Sequence, residues 1–277
     1  MKVGVFFHRV FKESWPVIGD KFRRFPEVMQ EALASPKVEL IEPKPVSEAL
    51  LRKVHSESLL ESVKRMYVWD AARLAVGGCV QAAEMCWRGH LARALVFTVA
   101  AGHHAGVSYA WGGTYLSCTG PAIANLREKF GRVRAAILDT DSHHGDGCRE
   151  IFTGDRDVLH VCFCSSSRVE DAGTKICVDV GWKTTDQEYL TLVEDCFIRA
   201  AREFKPDIIL HFHGHDTCIG DYGDRGLTPN LQVELVKLVR DLADEVCDGR
   251  YVVLTGGGAR ADIAELIYPR AIEVLSA

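Results

Sequence analysis

Short apolar runs with almost no polar alternation constrain this chain most. Examples are Ala135–Asp139 (AAILD), Ile208–Phe212 (IILHF) and Tyr251–Leu254 (YVVL). A strand with one face in water alternates apolar and polar residues, whereas a strand covered on both faces does not. The same reading predicts strands over Val3–Phe7, Val38–Ile41, Ala94–Ala100, Val158–Cys164 and Ile176–Val180. Helical patterns fill the intervals. Over residues 228–246, Thr228 can cap, Pro229 suits a first turn, and Leu231, Leu235, Leu238 and Leu242 share one face. Residues 186–203 form another helix. Residues 69–89 are rich in small apolar side chains, so that helix is expected to be buried on more than one side. Buried strands alternating with helices imply an α/β fold, a three-layer α/β/α architecture with a mainly parallel sheet. No repeat or Pro/Ser-rich linker divides the 277 residues, so one domain over residues 1–277 is expected.

The bulk numbers exclude several functions. Net charge is −5 and no basic face is visible, so nucleic acid is not an expected partner. The richest basic cluster, Lys21, Arg23 and Arg24, reads as a solvated helix start. No window approaches the ~18 apolar residues of a membrane span, so no membrane association is expected. The opening MKVGVFF lacks the length of a signal peptide, and a cytoplasmic location is expected. Ten cysteines are scattered without a CxxC pair. In a reducing compartment they should be free thiols, mostly packed as small apolar groups.

In parallel α/β sheets, ligands collect at the carboxyl ends of strands. Four polar clusters follow expected strands directly: AAGHHAG (100–106), DTDSHHGDG (139–147), HGHDTCIGD (213–221) and TGGGAR (255–260). If the strands are parallel, all four share one rim. Asp141 and His143 are two apart, which puts both on one face of an extended segment. They can offer a carboxylate and an imidazole to a zinc-like ion, and Asp216 a third ligand, leaving positions open for water and substrate. A metal-activated water needs a proton acceptor, for which His103 and His104 are candidates. Asp139 and Asp146 remain to fix their tautomers. Taken singly, each cluster also has a packing explanation. His211, His213 and His215 alternate along one strand as packed side chains do, and Gly256–Gly258 reads as a tight turn where backbones approach.

The order GHHAG, DTDSHHGDG, HGHDTCIGD, GGG resembles the histone deacetylase family, which includes acetylpolyamine amidohydrolases. The similarity runs along nearly the whole chain, with FRRFPEVMQEAL and ALLRKVHSESLLESV as weaker matches. It implies the arginase–deacetylase fold and metal-dependent hydrolysis of N-acyl lysine or polyamine amides. Carried over by motif, Asp141, His143 and Asp216 are implied as metal ligands. His104 with Asp146 is implied as general base, and His103 with Asp139 as the protonated histidine that helps the leaving amine. The backbone around Asp139, Asp141 and His143 resembles a structural potassium site. Cys162 stands where many members have a serine, which argues against that ion.

One departure is large. Acetyl-lysine hydrolases of this family usually place a tyrosine after the glycines, whereas this chain reads Gly258, Ala259, Arg260. Tyr268, nine residues past Ala259, falls in an expected helix and should pack. A substitute donor could come from Arg260, Tyr109 or Tyr222. Thr114 replaces a channel phenylalanine, the FCSSSRVEDAGTK loop is short, and Val99, Ala100 and Ala101 precede the His-His pair. The expected function is therefore amide hydrolysis of an N-acylated amine, a small molecule, with zinc as the ion and iron(II) or manganese compatible. Two other readings fit the residues: a catalytically weakened metal-binding relative acting as a sensor or partner, and an arginase-like ureohydrolase. The latter use two manganese ions and further aspartates, but Thr217 and Cys218 follow Asp216.

Overall fold

The computed structural model describes residues 2–277. In it the apolar runs pair into one sheet. Its strands are β1 (Lys2–Phe6), β2 (Val38–Ile41), β3 (Leu91–Val96), β4 (Ala135–Asp139), β5 (Val158–Cys164), β6 (Arg168–Glu170), β7 (Lys175–Asp179), β8 (Ile208–His213) and β9 (Tyr251–Thr255). Their order is β2-β1-β3-β9-β8-β4-β5-β7-β6. Every neighbouring pair is parallel except β6 with β7. All residues of β4, β5, β8 and β9 are buried, so both faces of the sheet centre are covered by helices. The Trp69–Trp87 and Thr119–Phe130 helices pack together in one group, and the Pro229–Val246 and Ala261–Ser276 helices in another. Among the described residues, no helix is long and apolar enough to cross a membrane.

Side-chain caps set several helix starts, at His8, Ser47, Ser56, Thr185 and Thr228. Thr228 caps its helix by accepting from Leu231 N, with Pro229 at the first turn. Three expectations need correction. The strand read over Ala94–Ala100 is Leu91–Val96, and Ala100 takes a positive φ of 54°. Residues 97–101, apolar except for Thr98, face the core and a cavity rather than extending the strand. The helix expected over 186–203 is interrupted by a π-turn at Glu194–Ile198. Strand β6 was not foreseen, because all three of its residues are exposed and it lies at the sheet edge.

The segment read as a solvated helix start is also different. Arg23 and Arg24 face solvent and pair with Asp20 and Glu265. Lys21 is buried, as are Phe22 and Phe25. The two phenylalanines close an aromatic cluster with Phe97 and Tyr268, at centroid distances of 5.0 to 6.3 Å. The segment thus splits its residues between core and water, and a run of charges alone cannot reveal that.

Candidate metal centre and active site

Strands β3, β9, β8 and β4 are four consecutive neighbours in the sheet. Register aligns Val96, Leu254, Phe212 and Asp139 in one row across them. Because all four run the same way, the chain leaves each at the same edge. The 97–116, 139–147, 214–228 and 256–260 segments therefore meet there. They line a cavity of about 230 Å³ that includes His103, His104, Asp141, His143 and Tyr222.

Asp141, His143 and Asp216 converge. His143 Nδ1 lies 3.0 Å from Asp141 Oδ1 and 3.0 Å from Asp216 Oδ2. Zinc bonds of ~2.0 Å at tetrahedral angles set such donors about 3.3 Å apart, so the triangle needs little expansion to hold an ion. The charges favour a cation there. Both carboxylates are fully buried, and desolvation together with Asp141 pushes the Asp216 pKa up to about 7. Hydrogen bonds to Asp141 and Asp216 push His143 up to about 10. An imidazolium thus supplies the positive charge that a divalent cation would bring. The residues present fit a divalent ion. They do not suit potassium at the neighbouring position. There the Cys162 thiol, a soft donor, accepts from Gly145 N at 3.4 Å and faces His143 O at 3.8 Å.

Two histidine–carboxylate pairs flank the triad. His103 Nδ1 donates to Asp139 Oδ2 at 2.8 Å, and His104 Nδ1 donates to Asp146 Oδ1 at 2.6 Å. Their Nε2 atoms lie 3.1 Å apart. Burial alone would lower the His103 pKa, but Asp139 and Asp141 outweigh it and raise it to about 9. Burial lowers His104, the adjacent His103 charge adds to this, and the bond to Asp146 only partly compensates. One imidazole is therefore held charged and its neighbour neutral, with a lone pair on His104 Nε2.

The sequence did not mark Trp111. Its Nε1 donates to Asp146 Oδ2 at 2.8 Å, and its ring lies 3.9 Å from that of His104. Thr114 Oγ1 accepts from His104 N at 3.2 Å. The AWGGT segment thus fixes the ring and its acid together. Gly147 allows the two loops to meet, since a Cβ there would lie 2.4 Å from the Ala105 carbonyl carbon.

Every backbone N–H of the 256–260 loop has a partner. Gly256 donates to His213 O, Gly257 to Asp141 Oδ2, and Gly258 to the Tyr222 hydroxyl. Ala259 and Arg260 donate to the Asp221 carboxylate. Lys21 Nζ donates to Gly256 O at 2.6 Å and to Gly257 O at 3.4 Å, which places a buried cation beneath the loop. Burial lowers the Lys21 pKa to about 8 despite Asp221, Asp141 and Asp216. Gly258 has φ of 105°, and a Cβ there would lie 2.3 Å from the His215 ring. His211, His213 and His215 are all buried and bond Thr140 and Tyr251, the Gln232 carbonyl, and Tyr268 respectively.

Three side chains could stand in for a tyrosine after the glycines. Arg260 is turned to Asp262 and the Ile219 carbonyl. The Tyr109 ring packs at Gly106 and Glu150, outside the cavity lining. Tyr222 lines the cavity, with its ring centroid 5.7 Å from that of His143. Burial raises its hydroxyl pKa, and Asp141 and Asp216 raise it further, so the phenol keeps its proton. Among the described residues, that proton has no acceptor.

This arrangement can be set beside known proteins. The human protein named polyamine deacetylase HDAC10 is 29% identical over 219 residues, covering 72% of this chain but 32% of that protein. A protein of Archaeoglobus fulgidus named probable deacetylase is 28% identical over 293 residues, covering 93% of this chain and 81% of that protein. The crystal structure of the HDA15 HD domain overlays with a TM-score of 0.86 at 22% identity, covering 99% of this chain and 89% of that one. That overlay matches the nine-stranded, mainly parallel sheet to the arginase–deacetylase fold. The histone deacetylase domain profile matches residues 19–275, a span that takes in all four strand-end loops, and the chain belongs to that family.

Proposed function

We propose that this chain is a metal-dependent amide hydrolase that removes the acyl group from an N-acylated amine, with a small molecule as substrate. One observation carries the reading. Two imidazoles, each backed by its own carboxylate, bring their Nε2 atoms within 3.1 Å of one another beside an Asp–His–Asp triad. A structural ion site has no use for that proton machinery.

A divalent ion held by Asp141, His143 and Asp216, zinc by preference, would polarise the acyl carbonyl and acidify the attacking water. His104, neutral and oriented by Asp146, takes the water's proton at Nε2. His103, charged through Asp139 and Asp141, gives a proton to the departing amine. Tyr222 donates its hydroxyl proton toward the acyl oxygen, the role of an oxyanion donor. Trp111 holds the Asp146 carboxylate and the His104 ring in one orientation.

The cavity volume and the relatives support the substrate class. About 230 Å³ between Ile18, Val99, Ala101 and Phe212 suits a small acyl group. At the mouth, the half-exposed rings of Trp111 and Tyr222 offer π faces to an aliphatic ammonium. Both curated relatives above carry deacetylase in their names, and the human one is named for polyamines. Against a two-manganese ureohydrolase, the residues after Asp216 are Thr217, whose hydroxyl faces Gly214 O, and a buried Cys218.

The test is turnover of zinc-loaded protein on a panel of N-acylated polyamines, N-acyl-lysine peptides and guanidines, with metal content measured on the same sample. Release of carboxylate from acylated amines that disappears on chelation supports the reading. Fully loaded protein that hydrolyses none of the amides overturns it.

A further inference from the structure

We propose that His144, Cys164 and Cys177 form a second ion site, separate from the Asp141–His143–Asp216 centre and selective for a thiophilic divalent ion. The three side chains come from the loop after β4, the end of β5, and β7. Their ligand atoms all lie within 4.8 Å of one another. His144 Nδ1 is 3.5 Å from Cys177 Sγ and 3.9 Å from Cys164 Sγ. Zinc–sulfur bonds of ~2.3 Å and zinc–nitrogen bonds of ~2.0 Å place such pairs about 3.5 Å apart at tetrahedral angles. One distance equals that value and the other exceeds it by a few tenths of an ångström.

The donor set defines the ion. Two sulfurs and one imidazole favour zinc or cadmium and disfavour magnesium, calcium or potassium. The Ser166 hydroxyl, 3.5 Å from Cys164 Sγ, offers an oxygen for a fourth position. Both cysteines are buried, but His144, Ser165, Ser166 and Arg168 line an open cleft of about 440 Å³ that gives the ion a way in. A divalent ion displaces the two thiol protons to solvent, so the occupied site is neutral. Arg149 already donates to Cys177 Sγ at 3.3 Å, the kind of hydrogen bond that steadies a metal-bound thiolate. Its own charge is answered by Glu170 at 3.3 Å.

The position matters because His143 and His144 are consecutive. His143 turns to Asp141 and Asp216, whereas His144 turns to the two sulfurs. An ion at the second site would pin the loop that carries the first from its other side, tying it to β5 and β7.

Cobalt(II) separates the two sites by spectroscopy. Thiolate–cobalt charge transfer gives an intense near-ultraviolet band, whereas a site of carboxylates and imidazole does not. The reduced full chain is titrated with cobalt(II), and bound ion is counted by elemental analysis. Wild type should bind two ions per chain and show the band. Cys164→Ser and Cys177→Ser should each lose the band and retain one ion, and His144→Asn should weaken the band. Asp141→Asn should keep the band with one ion. Circular dichroism of each variant checks the fold, and His144→Asn serves if a serine variant fails to fold. One ion per reduced chain without a charge-transfer band overturns the proposal, as does a band that survives in Cys177→Ser. Neither result depends on hydrolytic activity.

Discussion

The Tyr222 hydroxyl accepts a hydrogen bond from Gly258 N at 2.9 Å, and so the 214–228 loop delivers a phenol to the glycine loop from a different strand end. Its neighbour Asp221 clasps the next two N–H groups, of Ala259 and Arg260. One dipeptide therefore braces the loop and aims the phenol. Tyr222→Phe should lower kcat on an acylated amine by ~10²–10³-fold with KM and bound metal little changed, the scale of a lost oxyanion donor. Steady-state kinetics with metal analysis checks it. An unchanged kcat would assign the donor elsewhere.

Ion affinity should climb with pH. The Asp216 carboxyl, raised to about 7 by burial and by Asp141, and His143, raised to about 10 by bonds to both acids, must each release a proton to become ligands. Affinity should therefore gain about one decade per pH unit between 7 and 8, and more steeply below 7, where two protons leave. Competition with a chelator at pH 6, 7 and 8 measures the slope. Asp141→Asn and Asp216→Asn should each strip the ion from this centre, and full occupancy in either would show that the ligands are different.

His104→Ala should reduce turnover by ~10²–10⁴-fold while the ion stays bound. Burial and the charge on His103 lower the His104 pKa below the ordinary 6.5. Its base form is therefore present above that point and is lost as pH falls through the lowered value. The acid limb of the kcat profile should lie below 6.5, and Asp146→Asn should move it further down by removing the partner that stabilises the imidazolium. A limb above 6.5 contradicts the assignment.

Lys21→Met should destabilise the fold near neutral pH by ~1–3 kcal/mol, because the Gly256 and Gly257 carbonyls lose a buried donor. The sign of the pH dependence follows from the lowered pKa. The unfolded chain holds its Lys21 proton up to about 10.5, but the folded chain only to about 8. Wild type should therefore gain on the variant as pH rises between those values, by up to ~3 kcal/mol. Denaturant melts of both proteins from pH 7 to 10 provide the comparison.

Gly147→Ala should cost ~1–3 kcal/mol, since its Cβ would fall 2.4 Å from the Ala105 carbonyl carbon and 2.6 Å from that of His104. Turnover should fall as well, because the displaced residue carries the His104 ring. Thermal melts and kcat measured on one preparation test both parts.

Much of the architecture was readable because two signals coincide. Continuous apolar runs at Ala135–Asp139, Ile208–Phe212 and Tyr251–Leu254 announce buried parallel strands, and each ends in polar residues that a core would not hold. The Asp141–His143 spacing and the His-His pair stand out for the same reason. Lys21 could not be read, because its burial depends on the Gly256 and Gly257 carbonyls some 235 residues later. Trp111 was silent because a tryptophan beside two glycines has no local pattern that points to Asp146. Tyr222 was one of three candidates, and only the fold distinguishes it from Tyr109 and Arg260. The Cys164–Cys177 pairing is a register property of β5 beside β7, invisible to sequence spacing.

The row formed by Val96, Leu254, Phe212 and Asp139 joins chain segments from residue 91 to residue 255, so no short local fragment contains the whole rim. Asp141, His143 and Asp216 become neighbours only once β4 has paired with β8, two strands far apart in sequence, which makes their meeting a high-contact-order event. An ion bound at the Asp–His–Asp triad would then be written into the stability of the β4–β8 pairing rather than of one loop. Amide protons deep in β8 and β4 should exchange more slowly when the ion is added, although Asp141, His143 and Asp216 all lie on the loops beyond those strands.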